Sequence, residues 1–317
     1  MIPVDDILAA HKRIGPHVLK TPLFHSLELS ERNRGEVYLK LESEQYTGSF
    51  KARGALNKIL TTPVSDREQG FLTASTGNHA QGFARGIGIA GCQGKIFLPT
   101  NADPSKVAAL KKYDVELDFH GTNSLEAELH AKAQAEKSGM VWISPYDDHA
   151  VIAGQATIGL EVMSELEDID AVLGCIGGGG MMSGIGSWFK QSSPKTKVIG
   201  CLPELAPEMY LSVMEGRVVS LDDPQETLSD GSAGGLEEDA ITFDICKAVI
   251  DDFLIVSEKE IAEAIKLMAG VHHKIIEGAA GVALASFLNN TDRFSGQRLV
   301  IVICGSNISL EKFKALL

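Results

Sequence analysis

The stretch AVLGCIGGGGMMSGIGSWF (residues 171–189) carries the strongest indication of fold in this sequence. An apolar run of strand length ends in four consecutive glycines, and a helical pattern follows at once. Each glycine loses extra backbone entropy on folding, so four in a row need a physical reason. Backbone N–H groups converging on a phosphate at a helix start provide one, and a tight structural turn is the alternative. Neither a GxGxxG fingerprint with a downstream acid nor a GK[ST] ending is present, which favours one phosphate on a small cofactor over a dinucleotide.

Strand-like and helical patterns alternate through the whole chain. The predicted strands are 36–42, 71–76, 95–99, 114–119, 140–144, 171–176, 197–202, 252–257 and 299–304. The predicted helices between them are 51–60, 79–90, 104–112, 124–138, 151–166, 181–191, 258–270 and 279–289. This order indicates an α/β fold with mostly parallel sheets. Ligands of such sheets bind at the carboxyl ends of the strands, so the chemistry is expected there.

Composition narrows the class of protein. The chain has 317 residues, enough for two domains or for one domain with a large insertion. Its net charge of −13 argues against nucleic acid and anionic membrane as partners. Five cysteines without a CxxC pair argue against a disulfide framework or a zinc site. The N-terminal MIPVDDILAAHKRIG is an amphipathic helix pattern rather than a signal peptide, and no apolar run is long enough for a membrane span. We therefore expect a cytoplasmic protein.

The segment TGSFKARGALNK (47–58) places a lysine at a helix start. Ser49 is the candidate N-cap, with Phe50 and Lys51 in the first turn. The positive end of the helix dipole disfavours an ammonium there and lowers its pKa, and a neutral amine suits Schiff-base chemistry. The alternative is an ordinary solvated surface lysine.

Two further strand ends carry polar residues. ASTGNHAQG (74–82) joins a strand to a helix and offers free N–H groups for a carboxylate or phosphate, or is a plain connection in which Asn78 is a turn residue. LVIVICGSNISL (299–310) ends a strand at Cys304, which either faces a crevice or is a small core residue.

Together these segments resemble the fold-type II pyridoxal-phosphate enzymes, and most closely the serine/threonine dehydratase and serine racemase group. TGSFKARGA, STGNHAQG, SPYDDHAVIAGQATIGLEV (144–162), IGGGG, EGAAGVA (277–283) and ICGSN follow one another in the order and spacing of that group. The resemblance covers nearly the whole chain. It implies a fold like that of the tryptophan synthase β subunit, with two open, twisted, mostly parallel sheets flanked by helices.

The resemblance also implies roles for matching positions. Lys51 would bind the cofactor covalently and act as the catalytic base, and Asn78 would hydrogen-bond the ring hydroxyl. Cys304 would face the pyridine nitrogen, where the group usually has serine. The remaining cofactor-binding residues would be Phe50, Gly177, Gly178, Gly179, Gly180, Met181 and Glu277. The substrate-binding residues would be Ser75, Thr76, Gly77 and His79.

Two positions depart from the pattern of the group. Racemases of the group have serine at position 76 as an opposite-face acid and dehydratases have alanine, whereas this chain has Thr76, whose hydroxyl makes it the second candidate catalytic residue after Lys51. The divalent-metal site of several relatives uses acids near positions 202 and 208, but this chain has Leu202 and Glu208. That makes a divalent metal doubtful, with Glu204 as a possible substitute, and we expect no metal ligands.

The resemblance implies an ammonia-lyase that converts a 3-hydroxy amino acid, L-threonine or L-serine, into a 2-oxo acid and ammonia. Cys304, which the resemblance places at the pyridine nitrogen, favours this elimination, because a neutral thiol cannot protonate that nitrogen and prompt loss of a β-leaving group is then preferred. The alternatives are a racemase of serine or aspartate, a dehydratase of a bulkier or acidic 3-hydroxy amino acid, and a binding protein that has kept the fold. A further expectation is the absence of amino-acid feedback, since no regulatory domain follows Asn307.

The expected organisation is a large cofactor-binding domain (1–48 and 149–317) with a small mobile domain (49–148) inserted into it. The cofactor is expected in the cleft between them. The resemblance implies a homodimer. The irregular stretch 216–240, with Asp222, Asp223 and Pro224, is either a surface excursion or an active-site loop.

Overall fold

The computed structural model describes residues 1–221 and 223–317, and it contains two separate β-sheets. The larger sheet has the order β1-β2-β10-β7-β8-β9, and all its pairings are parallel except that of β1 with β2. The smaller sheet has the order β5-β4-β3-β6 and is parallel throughout. The strands are β1 Leu23–His25, β2 Glu36–Leu41, β3 Phe71–Ala74, β4 Gly94–Leu98, β5 Glu116–Phe119, β6 Val141–Trp142, β7 Ala171–Cys175, β8 Lys197–Pro203, β9 Asp252–Val256 and β10 Arg298–Ile303.

Helices flank both sheets. They are α1 Val4–Ile14, α2 Leu27–Asn33, α3 Lys51–Thr61, α4 Val64–Arg67, α5 Asn78–Ala90, α6 Pro104–Leu110, α7 Ser124–Ser138, α8 His149–Met163, α9 Gly180–Ser192, α10 Glu208–Glu215, α11 Ile241–Val249, α12 Glu258–Val271, α13 Gly278–Leu288 and α14 Leu310–Leu316. The largest apolar core lies around the larger sheet, and a second core surrounds the smaller one. The predicted class, two mostly parallel sheets flanked by helices, is confirmed.

The strand predictions hold for all nine segments, each of which contains a strand with parallel neighbours. The central strands are buried apolar runs, whereas β5 and β6 at the edges of the smaller sheet are only partly buried. The sequence patterns missed β1, which has only three residues, two of them exposed. In the irregular stretch, the described residues between α10 and α11 form neither helix nor strand, and Asp222 lies outside the described residues.

The two sheets draw on different parts of the chain. The smaller sheet is built from strands between Phe71 and Trp142, and the larger sheet from strands before Leu41 and after Ala171. This separation is compatible with an inserted unit at 49–148, whose boundaries and mobility stay predictions.

A buried ion network ties the start of α3 to the larger sheet. The Arg53 guanidinium is fully buried and donates to both oxygens of Glu42 and both oxygens of Glu161, at 2.6–2.9 Å. Lys40 donates to the same Glu161 carboxylate at 2.6 Å. Two cations therefore face two anions in a region closed to water, which meets the requirement that buried charges be paired and hydrogen-bonded.

No helix among the described residues is long and apolar enough to cross a membrane.

Candidate active site

An open cavity of about 400 Å³ lies where β7 and β10 end and α3 begins. Several residues that the sequence patterns singled out share this cavity: Phe50, Lys51, Gly177, Gly178, Gly179, Gly180, Met181 and Cys304. They come from three separate chain segments, and the parallel sheet brings its strand ends to one edge. The structure thus assembles the predicted lysine, glycine loop and cysteine in one place.

Lys51 is the first residue of α3, and its amine is buried. The Nζ atom donates to the Pro145 carbonyl at 2.6 Å. Burial lowers the pKa of Lys51 to about 8, against the opposing influence of Cys304 and Glu277. The pKa of Lys51 is therefore lowered, as predicted, but the main cause is desolvation of the amine rather than its position at the helix start.

The predicted N-cap of α3 is wrong. Phe50 occupies the N-cap position, and the Ser49 hydroxyl is buried without a hydrogen-bond partner. The reason is that Ser49 forms an isolated antiparallel bridge with Gly305. The Phe50 N–H donates to the Cys304 carbonyl at 3.1 Å, so the lysine helix and the end of β10 are joined directly.

The glycine loop connects β7 to α9 and leaves main-chain N–H groups free. Within the described residues, Ser183 is the first residue of α9 whose N–H finds a main-chain acceptor, the Gly179 carbonyl at 2.8 Å. The N–H groups before it lie at the positive end of the helix, which is the arrangement that binds phosphate. Gly179 has φ +87°, a conformation that favours glycine.

Cys304 follows β10 and is buried in the cavity wall. Burial and the nearby Glu277 carboxylate raise the pKa of its thiol well above the ordinary value. Cys175, at the end of β7, also lines the cavity, and burial raises its pKa to about 12. Both thiols are therefore neutral at physiological pH.

Asn78, Glu277 and Asn307 form a hydrogen-bonded triad beside Lys51. The Asn78 Nδ2 atom donates to both Glu277 oxygens, at 2.8 and 3.1 Å, and its Oδ1 accepts from Asn307 Nδ2 at 2.6 Å. Burial raises the pKa of Glu277 to about 7. The triad fixes the orientation of the Asn78 amide, whose Nδ2 group has both of its acceptors on Glu277.

Ser75, Thr76 and Gly77 form the connection from β3 to α5 and are partly exposed. The His79 imidazole does not join them: it is buried, with Nε2 3.0 Å from the Thr73 hydroxyl. Burial lowers its pKa to about 3, so the ring is neutral. The main-chain N–H of His79, in the first turn of α5, is the group left for an anion.

The candidate metal positions do not form a cluster. Leu202 is buried in the core, and Glu208 begins α10 with a carboxyl group whose pKa is raised by burial. Within residues 1–221 and 223–317, no group of three or more His, Cys, Asp or Glu side chains could hold a metal ion.

These residues fit a phosphorylated carbonyl cofactor. Lys51 offers an amine of lowered pKa, the loop before α9 offers N–H groups for a phosphate, and Glu277 and Asn307 hold the Asn78 amide at the start of α5. An open α/β fold with a lysine and a glycine loop at one edge of the larger sheet, and an oriented amide after a strand of the smaller sheet, is the arrangement of the fold-type II cofactor enzymes.

Comparison with known proteins identifies the family. The family model described as pyridoxal-phosphate dependent enzyme matches residues 14–305, so the chain belongs to this family, and pyridoxal 5′-phosphate is its cofactor. The chain is similar to an L-threonine ammonia-lyase of Thermotoga maritima, at 39% identity over 98% of this chain and 77% of the relative.

Two solved structures have the same fold. The processed form of threonine deaminase isoform 2 from Solanum lycopersicum superposes with a TM-score of 0.94 at 35% identity, covering 99% of this chain and 86% of the other. Serine racemase from Dictyostelium discoideum superposes with a TM-score of 0.91 at 32% identity, covering 98% and 99%. The predicted resemblance to the dehydratase and serine racemase group is confirmed.

The sequence patterns missed five residues that line the cavity: Tyr146, Cys175, Gly231, Ser232 and Ala279. They also missed Asn307. A usable signal existed for two of them, because Tyr146 and Cys175 lie at or just after the ends of parallel strands. Gly231 and Ser232 belong to the irregular stretch, where no periodicity indicates which residues face the cavity.

Proposed function

We propose that this protein is a pyridoxal-phosphate-dependent ammonia-lyase that converts a 3-hydroxy amino acid, L-threonine or L-serine, into a 2-oxo acid and ammonia. One observation carries the proposal: the buried Lys51 amine, with its pKa lowered to about 8, shares a cavity with the glycine loop and the neutral Cys304 thiol. The Thermotoga maritima and Solanum lycopersicum relatives, named as threonine ammonia-lyase and threonine deaminase, support this choice of substrate.

Lys51 provides the base. At neutral pH a useful fraction of its amine is unprotonated, because burial disfavours the ammonium. When bound, pyridoxal phosphate supplies an electron-poor ring that withdraws electrons from the Cα of the amino acid joined to it. Lys51 Nζ accepts the Cα proton, and the Pro145 carbonyl, 2.6 Å away, orients the amine.

Cys304 directs the outcome towards elimination. Its thiol is neutral because burial and Glu277 raise the thiol pKa, so it gives no charge to a ring nitrogen beside it. Negative charge on Cα is then poorly stabilised, and expulsion of the β-hydroxyl follows promptly. The amino acid loses water to give an enamine, which takes up water after release and yields the 2-oxo acid and ammonia.

The substrate carboxylate is assigned to the start of α5. Ser75, Thr76 and Gly77 lead into this helix, and the unpaired N–H groups of its first turn, including that of His79, favour an anion. Phe50 lies beside the amine, with Lys51 Nζ 5.3 Å from its ring centroid, and provides an apolar side for the cofactor ring.

The first experiment combines a substrate panel with a lysine variant. Wild-type enzyme is incubated with L-threonine, L-serine and bulkier or acidic 3-hydroxy amino acids, and 2-oxo acid and ammonia are measured. Lys51→Ala is expected to lose the Schiff-base absorbance and the lyase activity. Lys58→Ala is the matched control: Lys58 lies two turns along the same helix and pairs with Asp148 at 2.5 Å, so both properties should remain. A Lys51→Ala enzyme that keeps its absorbance and activity refutes the proposal.

A racemase is the second candidate, because serine racemase from Dictyostelium discoideum shares the fold over 98% of this chain and Thr76 carries a hydroxyl on the opposite-face position. The same incubations are assayed for D-amino acid. Thr76→Ala separates the candidates: an unchanged 2-oxo acid rate supports the lyase, and loss of D-amino acid formation supports the racemase.

We further propose a cytoplasmic homodimer without nucleic-acid or membrane partners. The five cysteines are all unpaired, which suits a reducing compartment, and the net charge is −13. The homodimer is proposed from the resemblance to the dehydratase and serine racemase group. Light scattering of the purified holoenzyme gives the subunit number.

A further inference from the structure

Tyr146 lies where three parts of the active site meet. It follows β6, and its neighbour Pro145 supplies the carbonyl that accepts the Lys51 amine hydrogen bond at 2.6 Å. Its ring packs on Gly178 of the glycine loop. Its hydroxyl oxygen accepts a hydrogen bond from the Glu237 N–H at 3.1 Å, in the irregular stretch before α11.

The reason for glycine at position 178 differs from the reason at position 179. Gly179 has φ +87°, whereas Gly178 is not among the glycines with positive φ, so a left-handed backbone is not the reason for glycine there. A Cβ on Gly178 would lie 2.5 Å from Tyr146 Cγ and 2.7 Å from Cδ1 and Cδ2. These separations are far below van der Waals contact, so the Tyr146 ring excludes a side chain there.

The ring has little freedom to move away. Its hydroxyl is bonded to the Glu237 N–H, and the Glu237 carboxylate pairs with Lys132 at 2.7 Å. The Tyr146 main chain also lies against the loop, because a Cβ on Gly180 would lie 2.8 Å from the Tyr146 carbonyl oxygen. The ring and the main chain of Tyr146 therefore both contact the loop that leads into α9.

We propose that Tyr146 is a positioning residue for the cofactor phosphate. The glycine loop packs against its ring, and this contact, rather than the phosphate, requires glycine at position 178. Because Pro145 and Tyr146 are adjacent, the same chain segment also fixes the Lys51 amine relative to the loop. The inference rests on the cofactor site proposed above.

The test is a set of double substitutions read out as the rate of cofactor release, which needs no turnover. Holoenzyme is transferred into buffer containing inorganic phosphate, and loss of bound pyridoxal phosphate is followed by absorbance. Gly178→Ala alone is expected to speed release about tenfold or more, because overpacking of this kind forces the loop to shift. Tyr146→Ala should also speed release of the cofactor, because the glycine loop then loses the ring against which it packs. In the Tyr146→Ala background the Gly178→Ala change should add less than about twofold, because the obstructing ring is absent.

Two controls keep the interpretation narrow. Tyr146→Phe keeps the ring and removes only the hydroxyl, so Gly178→Ala should remain as harmful there as in wild type. Gly180→Ala meets the Tyr146 main chain, so Tyr146→Ala should not relieve it. Circular dichroism and thermal unfolding of each apoenzyme show whether the variants fold.

The outcomes separate clearly. Relief of the Gly178→Ala defect by Tyr146→Ala but not by Tyr146→Phe supports the proposal, and so does rescue of folding where Gly178→Ala alone does not fold. An equal defect in all three backgrounds overturns it, and so does, where Gly178→Ala alone does not fold, a double variant that folds no better. Failure of the cofactor site itself is recognised separately, because wild-type protein would then show no Schiff-base absorbance that depends on Lys51.

Discussion

The pKa of Lys51 makes a quantitative prediction about how the apoenzyme captures its cofactor. Only the neutral amine attacks an aldehyde, so the capture rate follows the unprotonated fraction. With a pKa of about 8, about 9% of the amine is neutral at pH 7, against about 0.03% for an unperturbed lysine. Burial of Lys51 therefore makes capture at pH 7 about 300 times faster than for a lysine of ordinary pKa and equal access.

The sign of the pH dependence follows from the same pKa. From pH 6 to pH 7 the rate should rise about ninefold, from pH 7 to pH 8 about fivefold, and above pH 8 it should level off, because the amine is then mostly neutral. The assay mixes apoenzyme with pyridoxal phosphate in a stopped-flow spectrophotometer and follows imine absorbance from pH 6 to pH 10. A lysine acetylated on its α-nitrogen, which has a free side-chain amine, is run in parallel to correct for ionisation of the cofactor. Its rate of imine formation should keep rising to the top of this pH range.

A substitution at Glu277 tests how a neighbouring charge affects the pKa of Lys51. Glu277 is a nearby charge that holds the Lys51 pKa up, so Glu277→Gln should move the levelling point to lower pH. A capture rate that still rises tenfold per unit at pH 9.5, as it does for the free amine, would refute the argument that burial activates Lys51.

Two further predictions concern stability. Arg53→Gln leaves Glu42 and Glu161 buried without their guanidinium, and urea unfolding should show a loss of about 3–5 kcal/mol; a loss below about 1 kcal/mol would contradict the ion network. Gly154→Ala places a Cβ 2.7 Å from the Arg53 carbonyl between α3 and α8, and should lower the free energy of unfolding by about 1–3 kcal/mol. Gly88→Ala in α5 is the control, because its Cβ meets no atom within 4 Å and the change should be neutral or stabilising. Equal effects of the two changes would show that the close approach of α3 and α8 is not needed.

The fold could be predicted from the sequence because its strands are short apolar runs between helical patterns. Apolar runs that alternate with helices are typical of parallel sheets covered by helices on both sides. β1 was not predicted, because a three-residue edge strand with two exposed residues has no periodicity to detect. The antiparallel pairing of β1 with β2 could not be foreseen for the same reason.

The candidate site was predictable where a local pattern has a physical cost. Four adjacent glycines and a lysine at a helix start attract attention by themselves. Tyr146 and Asn307 did not, since their importance depends on contacts with residues 32 positions or more away in sequence, such as Gly178 and Asn78. The main cause of the lowered Lys51 pKa was likewise invisible, because burial of an amine is a property of the assembled fold.

The ion network around Arg53 limits which segments of the chain can move relative to one another. Arg53 lies two residues after Lys51, and its partners Glu42 and Glu161 belong to segments next to the larger sheet. Separating these charges in a dry interior is far more costly than rotating an exposed loop, so the predicted closing movement of the smaller sheet would have to leave the start of α3 behind. The Lys51 amine would then keep a constant distance from the phosphate loop while the smaller sheet moves.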